Sequence, residues 1–245
     1  MQGNVITGAG YFFRGLSMLT QPGLKRFVIV PFVTNVVLFA AIGLVAYETV
    51  MSMLDATISE LPSWLLFLRW IIIPFVWLLG ALTTGYLSTF LVLIITSPFL
   101  SLLAEKVEEQ VTGEPVPALE SLSAALYEIP RSIARELRKV MYYIPMALGV
   151  FVLSWIPAVN VLAPLLWFIL GAWMMSLQFV DYPMDNHRFP FTQVRDACAS
   201  RRLSSLSFGG VVAFVSGIPL ANMIVIPAAV IGATLLWCEE LRVRR

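Results

Sequence analysis

Gln21-Pro22-Gly23-Leu24-Lys25-Arg26 leads directly into Phe27 to Tyr47, a run of 21 residues that carries no charge. About 20 apolar residues of helix cross the ~30 Å hydrocarbon layer of a bilayer, so this run predicts a membrane span. The Pro-Gly pair ends whatever precedes it and allows a tight backbone bend. Two readings of Lys25 and Arg26 then stay open. Cations beside the exposed N–H groups of a helix start suit an oxyanion. A Lys-Arg pair ahead of a span is also the ordinary headgroup anchor, and on residues alone the anchor is the commoner use.

Composition points the same way as that run. Hydrophobic residues make up 59% and charged residues 13% of 245 positions, with a mean hydropathy of +0.85, which is far from a soluble domain. The chain therefore reads as an all-α integral membrane protein. Cys198 and Cys238 lie 40 positions apart, without the spacing of a disulfide framework or a zinc site. No cleavable leader is expected, because the first apolar run is too long for one.

Upstream of the turn, Val5, Ala9, Phe12, Phe13, Leu16 and Leu19 recur at helical spacing. Residues 1–26 thus predict an interfacial amphipathic helix followed by the candidate anion-binding turn; packing on the protein's own surface is the other reading. After the first span (27–47) comes a polar, acidic segment, 48–69. Trp70 to Ala104 adds 35 uncharged residues, ~50 Å of helix and more than one bilayer. Residues 70–111 therefore predict a second span with an aqueous extension.

The segment 119–180 predicts an amphipathic helix and a first hairpin, and 181–238 a polar signature loop and a second hairpin. The tail, 239–245, is basic. Each hairpin turns on a similar phrase, Pro157-Ala158-Val159-Asn160 and Pro219-Leu220-Ala221-Asn222. Pro-x-x-Asn is turn chemistry. The rising arms, 144–155 and 206–217, would reach only ~18 Å, so the hairpins are expected to penetrate part of the bilayer. Four ordinary spans remain the alternative. Fifteen of the 16 Lys and Arg lie outside 48–69, which puts 48–69 outside and the other polar segments in the cytoplasm.

The amphipathic helix carries Arg131, Arg135 and Arg138 on one side, expected mainly to meet lipid headgroups and alternatively to attract an anionic substrate. Asp181-Tyr182-Pro183-Met184-Asp185-Asn186-His187 holds the only histidine. Asp181, Asp185 and His187 are candidates for a pathway or for proton coupling; a metal site is not indicated. No phosphate loop, nucleophile elbow or zinc motif occurs, so neither ATP hydrolysis nor another enzymatic activity is expected. No cofactor or nucleic-acid partner is expected either. With no charge inside the first two spans, a dianion there would rely on backbone N–H groups and on hydroxyls such as Thr83, Thr84, Ser88 and Thr89.

The pairing of Gln21 to Phe27 with Asp181 to His187 resembles the CysZ family of bacterial sulfate permeases. The likeness extends over nearly the whole chain, including Trp167, the Pro-x-x-Asn turns and Ser97-Pro98-Phe99. The resemblance implies sulfate uptake across the inner membrane to supply cysteine biosynthesis, channel-like or proton-coupled and without ATP hydrolysis. It also implies two long spanning helices, two hemi-penetrating hairpins and a homo-oligomer. The family's sulfate site maps onto Gly23, Leu24, Lys25 and Arg26. Where the resemblance implies a double basic pair, this chain has Lys25 then Arg26, which keeps the charge with one guanidinium fork fewer. A membrane scaffold or lipid-binding assembly factor is the alternative expectation.

Overall fold

The computed structural model describes residues 3–21, 23–59, 67, 69–116, 122–218 and 222–242. All its regular structure there is helical. In order the helices are α1 (Val5–Met18), α2 (Arg26–Ser59), α3 (Arg69–Thr112), α4 (Leu122–Ser154), α5 (Pro157–Asn160), α6 (Ala163–Asn186), α7 (Phe191–Ser200), α8 (Arg202–Ser216) and α9 (Asn222–Leu236). A π-helical turn, Trp237–Leu241, closes the series. Four described segments are long and apolar enough to cross a membrane: Val36–Leu54, Ile133–Ser154, Ala163–Asn186 and Ile224–Leu241. The expected class, an all-α membrane protein, is what these helices form.

The chain divides into two compact units. In the unit formed by 29–97, α2 and α3 meet where small residues allow it. Tyr47 and Trp77 place their rings 5.7 Å apart, and a small apolar pocket lies between Gly43, Ala46, Val50, Gly80 and Ala81. The acidic stretch read as a separate external segment is helical through Ser59, as a continuation of α2. Residues 60–66 and 68 of that segment lie outside the described residues.

The other unit comprises residues 1–28 and 98–245. Its core is built around α9, whose Ala228 to Ile231, Ala233, Leu235 and Leu236 are buried. Asn4 caps α1 by accepting from the Ile6 N–H at 2.9 Å. The helix then runs antiparallel to α9. Ser204 links Asn4 to Glu240, Arg14 forks onto Glu239, and Gly15 lies against the backbone of Ala228 and Gly232. The buried face of α1 is Gly8, Tyr11, Phe12 and Gly15, with Val5, Phe13 and Leu16 exposed. The predicted apolar stripe is thus split, because glycines rather than large side chains set the closest approach. Gly209 of α8 meets the Ala172 carbonyl of α6 in the same manner.

The first hairpin turn falls where the sequence placed it. Pro157 opens α5 at its first position, where a missing N–H costs nothing. Its rising arm is not a 12-residue helix, however: α4 runs unbroken for 33 residues. The uncharged part of α4 starts at Val140, after Lys139. Of the second hairpin, α8 has 15 residues, or ~22 Å of helix. Pro219, Leu220 and Ala221 of its turn lie outside the described residues.

Candidate functional site

The segment from Asp181, read as a loop, is helical through Asn186. Two carboxylates four residues apart therefore share one face of α6. That face meets α4, whose Arg131, Arg135 and Lys139 follow the same four-residue spacing. The result is a ladder of ion pairs with two layers.

The inner layer is closed. Arg135 donates from Nε to both Asp181 oxygens at 2.9 Å and from Nη2 to Oδ1 at 2.5 Å. Lys139 Nζ lies 2.7 Å from Asp181 Oδ2. The three side chains are 9%, 6% and 5% exposed. Lys139 also pairs with Glu136 at 2.7 Å and donates to Gln178. Arg135 Nη1 donates to the Phe189 carbonyl at 2.7 Å. That contact fixes the turn after α6, where Arg188 adopts φ 62° and the Phe189 N–H closes back on Met184, a Schellman-type cap.

The outer layer is half open. Asp185 Oδ1 accepts from Arg131 Nη2 at 2.5 Å and lies 3.0 Å from Arg135 Nη1, with side chains 35% (Arg131) and 27% (Asp185) exposed. The arginines expected at lipid headgroups thus correct to inward-facing ones for Arg131 and Arg135. Arg138, assigned to the same side, is exposed. The opposite face of α4 presents Ile133, Leu137, Val140 and Met141 outward. The polarity of this helix is inverted relative to a soluble one, because the medium around Ile133–Ser154 is apolar and the charges find partners only inside.

His187 does not join the two aspartates. Its Nε2 is 2.8 Å from Oε1 of Glu108, a carboxylate 1% exposed that also accepts from Arg242 Nη1 at 3.1 Å. Among the described residues, Glu108 Oε2 has no hydrogen-bond partner. Nearby, burial and then the charge of Glu109 raise the Glu105 carboxyl. Among the described residues no three His, Cys, Asp or Glu gather to hold a metal ion. Sequence reasoning missed Lys139, Glu108 and Arg242. The first was legible as the third member of an i, i+4, i+8 set; contacts across 79 and 134 positions leave no local signal.

At the turn, Gly23 takes φ +94° with open space where a Cβ would stand. Leu24 is fully buried, and Gly23 and Lys25 are exposed. The Leu24 N–H donates to the Gln21 carbonyl at 3.3 Å, and α2 begins at Arg26. The side chains of Arg26, Thr84, Ser88 and Thr89 lie outside the described residues; Thr83 is exposed. The turn and the ladder are not brought together. The antiparallel run of α1 sets the turn toward the Asn222 end of α9, while His187 and Phe189 pack on Trp237 at its other end, on the order of 20 Å away along a 15-residue helix.

A helical membrane protein with a buried charge ladder and a positive-φ turn between Leu19 and α2 has close relatives in sequence. The family model described as Sulfate transporter CysZ/Etoposide-induced protein 2.4 matches residues 11–227. The chain belongs to this family. A Sulfate transporter CysZ from Pseudomonas fluorescens (strain Pf0-1) is 41% identical over 98% of this chain and 96% of its own length. Another so named, from Vibrio cholerae serotype O1 (strain ATCC 39315 / El Tor Inaba N16961), is 36% identical over 100% and 98%. One from Pseudomonas syringae pv. tomato is 38% identical over 98% and 95%. The CysZ relationship therefore covers both the turn before α2 and the α4–α6 ladder.

Proposed function

We propose that this protein is a sulfate permease of the bacterial inner membrane, supplying sulfate for assimilation into cysteine without ATP hydrolysis and acting as a homo-oligomer. The observation that carries the reading is the inward charge ladder of α4 and α6 inside apolar spans, in a chain 36–41% identical to proteins named sulfate transporters. Buried ion pairs add little net stability, and ionisable residues inside membrane segments ordinarily mark a pathway. Arg131, Arg135, Asp181, Asp185 and His187 line one mouth of that pathway. Gly23, Leu24, Lys25 and Arg26 form the sulfate-binding turn, deeper along the helices. Buried Leu24 pins the turn, Gly23 supplies its backbone conformation, and exposed Lys25 adds positive charge at the helix start, which suits a tetrahedral anion. The hairpins penetrate part of the bilayer.

The test is a titration of the purified protein in detergent. Sulfate should stabilise it against heat, and chloride or phosphate should do so less. Arg26→Lys keeps the charge and loses the guanidinium fork, and should cost roughly 1–3 kcal/mol of sulfate affinity. Gly23→Val should abolish binding. Unchanged affinity in both variants moves the site elsewhere, and no stabilisation by sulfate favours a scaffold or lipid-binding role.

A further inference from the structure

We propose that Asp185 is the built-in counter-ion of a second oxyanion site formed by Arg131 and Arg135, holding in the anion-free protein the place that a doubly charged oxyanion takes. The proposal rests on the reading of this ladder as part of an anion pathway.

The geometry separates the two aspartates by role. Asp181 is enclosed: Arg135 binds it through Nε and Nη2, and Lys139 binds it from the other side. That layer orients the Arg135 guanidinium and has no room to open without unpairing three buried charges. Asp185 instead offers one oxygen to two guanidinium groups from successive turns of α4, 2.5 Å from Arg131 Nη2 and 3.0 Å from Arg135 Nη1. These are charge-assisted N–H···O contacts of the kind an oxyanion can accept from arginine. The remaining acceptor on Arg135 Nη1 is the Phe189 carbonyl at 2.7 Å, which holds the fork still.

Exposure decides which carboxylate can leave. More than a quarter of the Asp185 side chain reaches solvent, against 6% for Asp181. Rotation of the Asp185 carboxylate outward carries it toward its already exposed side, and its partial exposure makes this layer less tightly held than the enclosed Asp181 layer. The arriving anion then finds Arg135, whose orientation Asp181 and the Phe189 carbonyl maintain, and Arg131 one turn away on α4. Sulfate, which has only acceptor oxygens, can take the N–H groups of Arg131 and of Arg135 Nη1 that Asp185 gives up. Asp185 would thus set how much anion is needed to open the ladder, by competing for the same N–H groups.

The experiment is calorimetric titration of sodium sulfate into the full-length protein in detergent, for the wild type, Asp185→Asn, Asp185→Ser and Asp185→Glu, each with and without Arg131→Gln. Asp185→Asn should tighten sulfate binding about fivefold or more, or add a second binding event, which corresponds to ~1 kcal/mol of relieved competition. Arg131→Gln should cancel that gain, and Asp185→Glu, which keeps the charge, should show none. Where Asp185→Asn is not monodisperse, Asp185→Ser is read in its place. If the wild type binds sulfate through the Gly23 turn and neither neutral variant binds tighter, the proposal is overturned while the permease reading stands. No sulfate binding in any of these proteins sinks both.

Discussion

Arg135 of α4 and Asp181 of α6 are bound through two nitrogens and both carboxylate oxygens, with less than a tenth of either side chain exposed. Removing one partner of such a buried pair leaves an uncompensated charge and costs about 3–5 kcal/mol, whereas replacing both with apolar groups can be nearly neutral. Arg135→Met and Asp181→Leu should each lower the melting temperature in detergent sharply. The double variant should recover at least half of the loss, since Lys139 keeps Glu136 as a partner at 2.7 Å. A double variant no better than the worse single one would show that the pair does not act as a unit.

Gly209 fixes the approach of α8 to α6. A Cβ there meets the Ala172 carbonyl and Ser176 Oγ, and Ser176 itself donates to the Ser205 carbonyl. Gly209→Val should destabilise the fold by about 1–3 kcal/mol, the usual cost of overpacking. A Cβ on Gly210 would find its nearest neighbours at 3.8 Å and beyond, so Gly210→Ala should be tolerated. Equal melting temperatures for the Gly209 and Gly210 variants would argue that the two helices slide freely.

Cys198 of α7 is fully buried, and burial pushes its thiol from an ordinary value of 9.0 up to about 12. The folded state therefore favours the protonated thiol. The stability this contributes is complete below pH 9 and is lost as pH rises toward 12, at up to about 1.4 kcal/mol per pH unit. The stability difference between wild type and Cys198→Ala should accordingly shrink between pH 9 and 11 and stay constant between pH 6 and 8. A difference that is flat across both ranges would mean the thiol has solvent access.

At the tip of the first hairpin, Trp155, Ile156, Val161 and Leu162 are exposed, Val161 to 84%. Such a tip sits in the membrane and not in water if the hairpin stops within the bilayer. A cysteine at Val161, with Cys238→Ser, should resist a membrane-impermeant thiol reagent applied from outside and react once detergent is added. Because this chain leaves the position uncovered, protection must come from lipid or from a neighbouring subunit within the bilayer. Labelling in intact cells would establish a full span.

What the sequence settled by itself was whatever depends on runs and local spacing. Charge-free stretches marked the apolar helices because a bilayer accepts little else, and the Pro157-to-Asn160 phrase marked the first turn because it is turn chemistry. Amphipathicity of α4 was equally legible from the recurrence of Leu122 to Val140. Its sense was not. The same alternation serves a helix with charges outward in water and one with charges inward in lipid, so only the partners Asp181 and Asp185 on α6 decide that Arg131 and Arg135 face in. Tertiary structure also decided the pairing of His187 with Glu108, 79 residues apart, and the packing of α1 on α8 through Gly8 and on α9 through Gly15. A glycine carries no side chain to signal a contact; its role exists only when another backbone comes close enough to need the space.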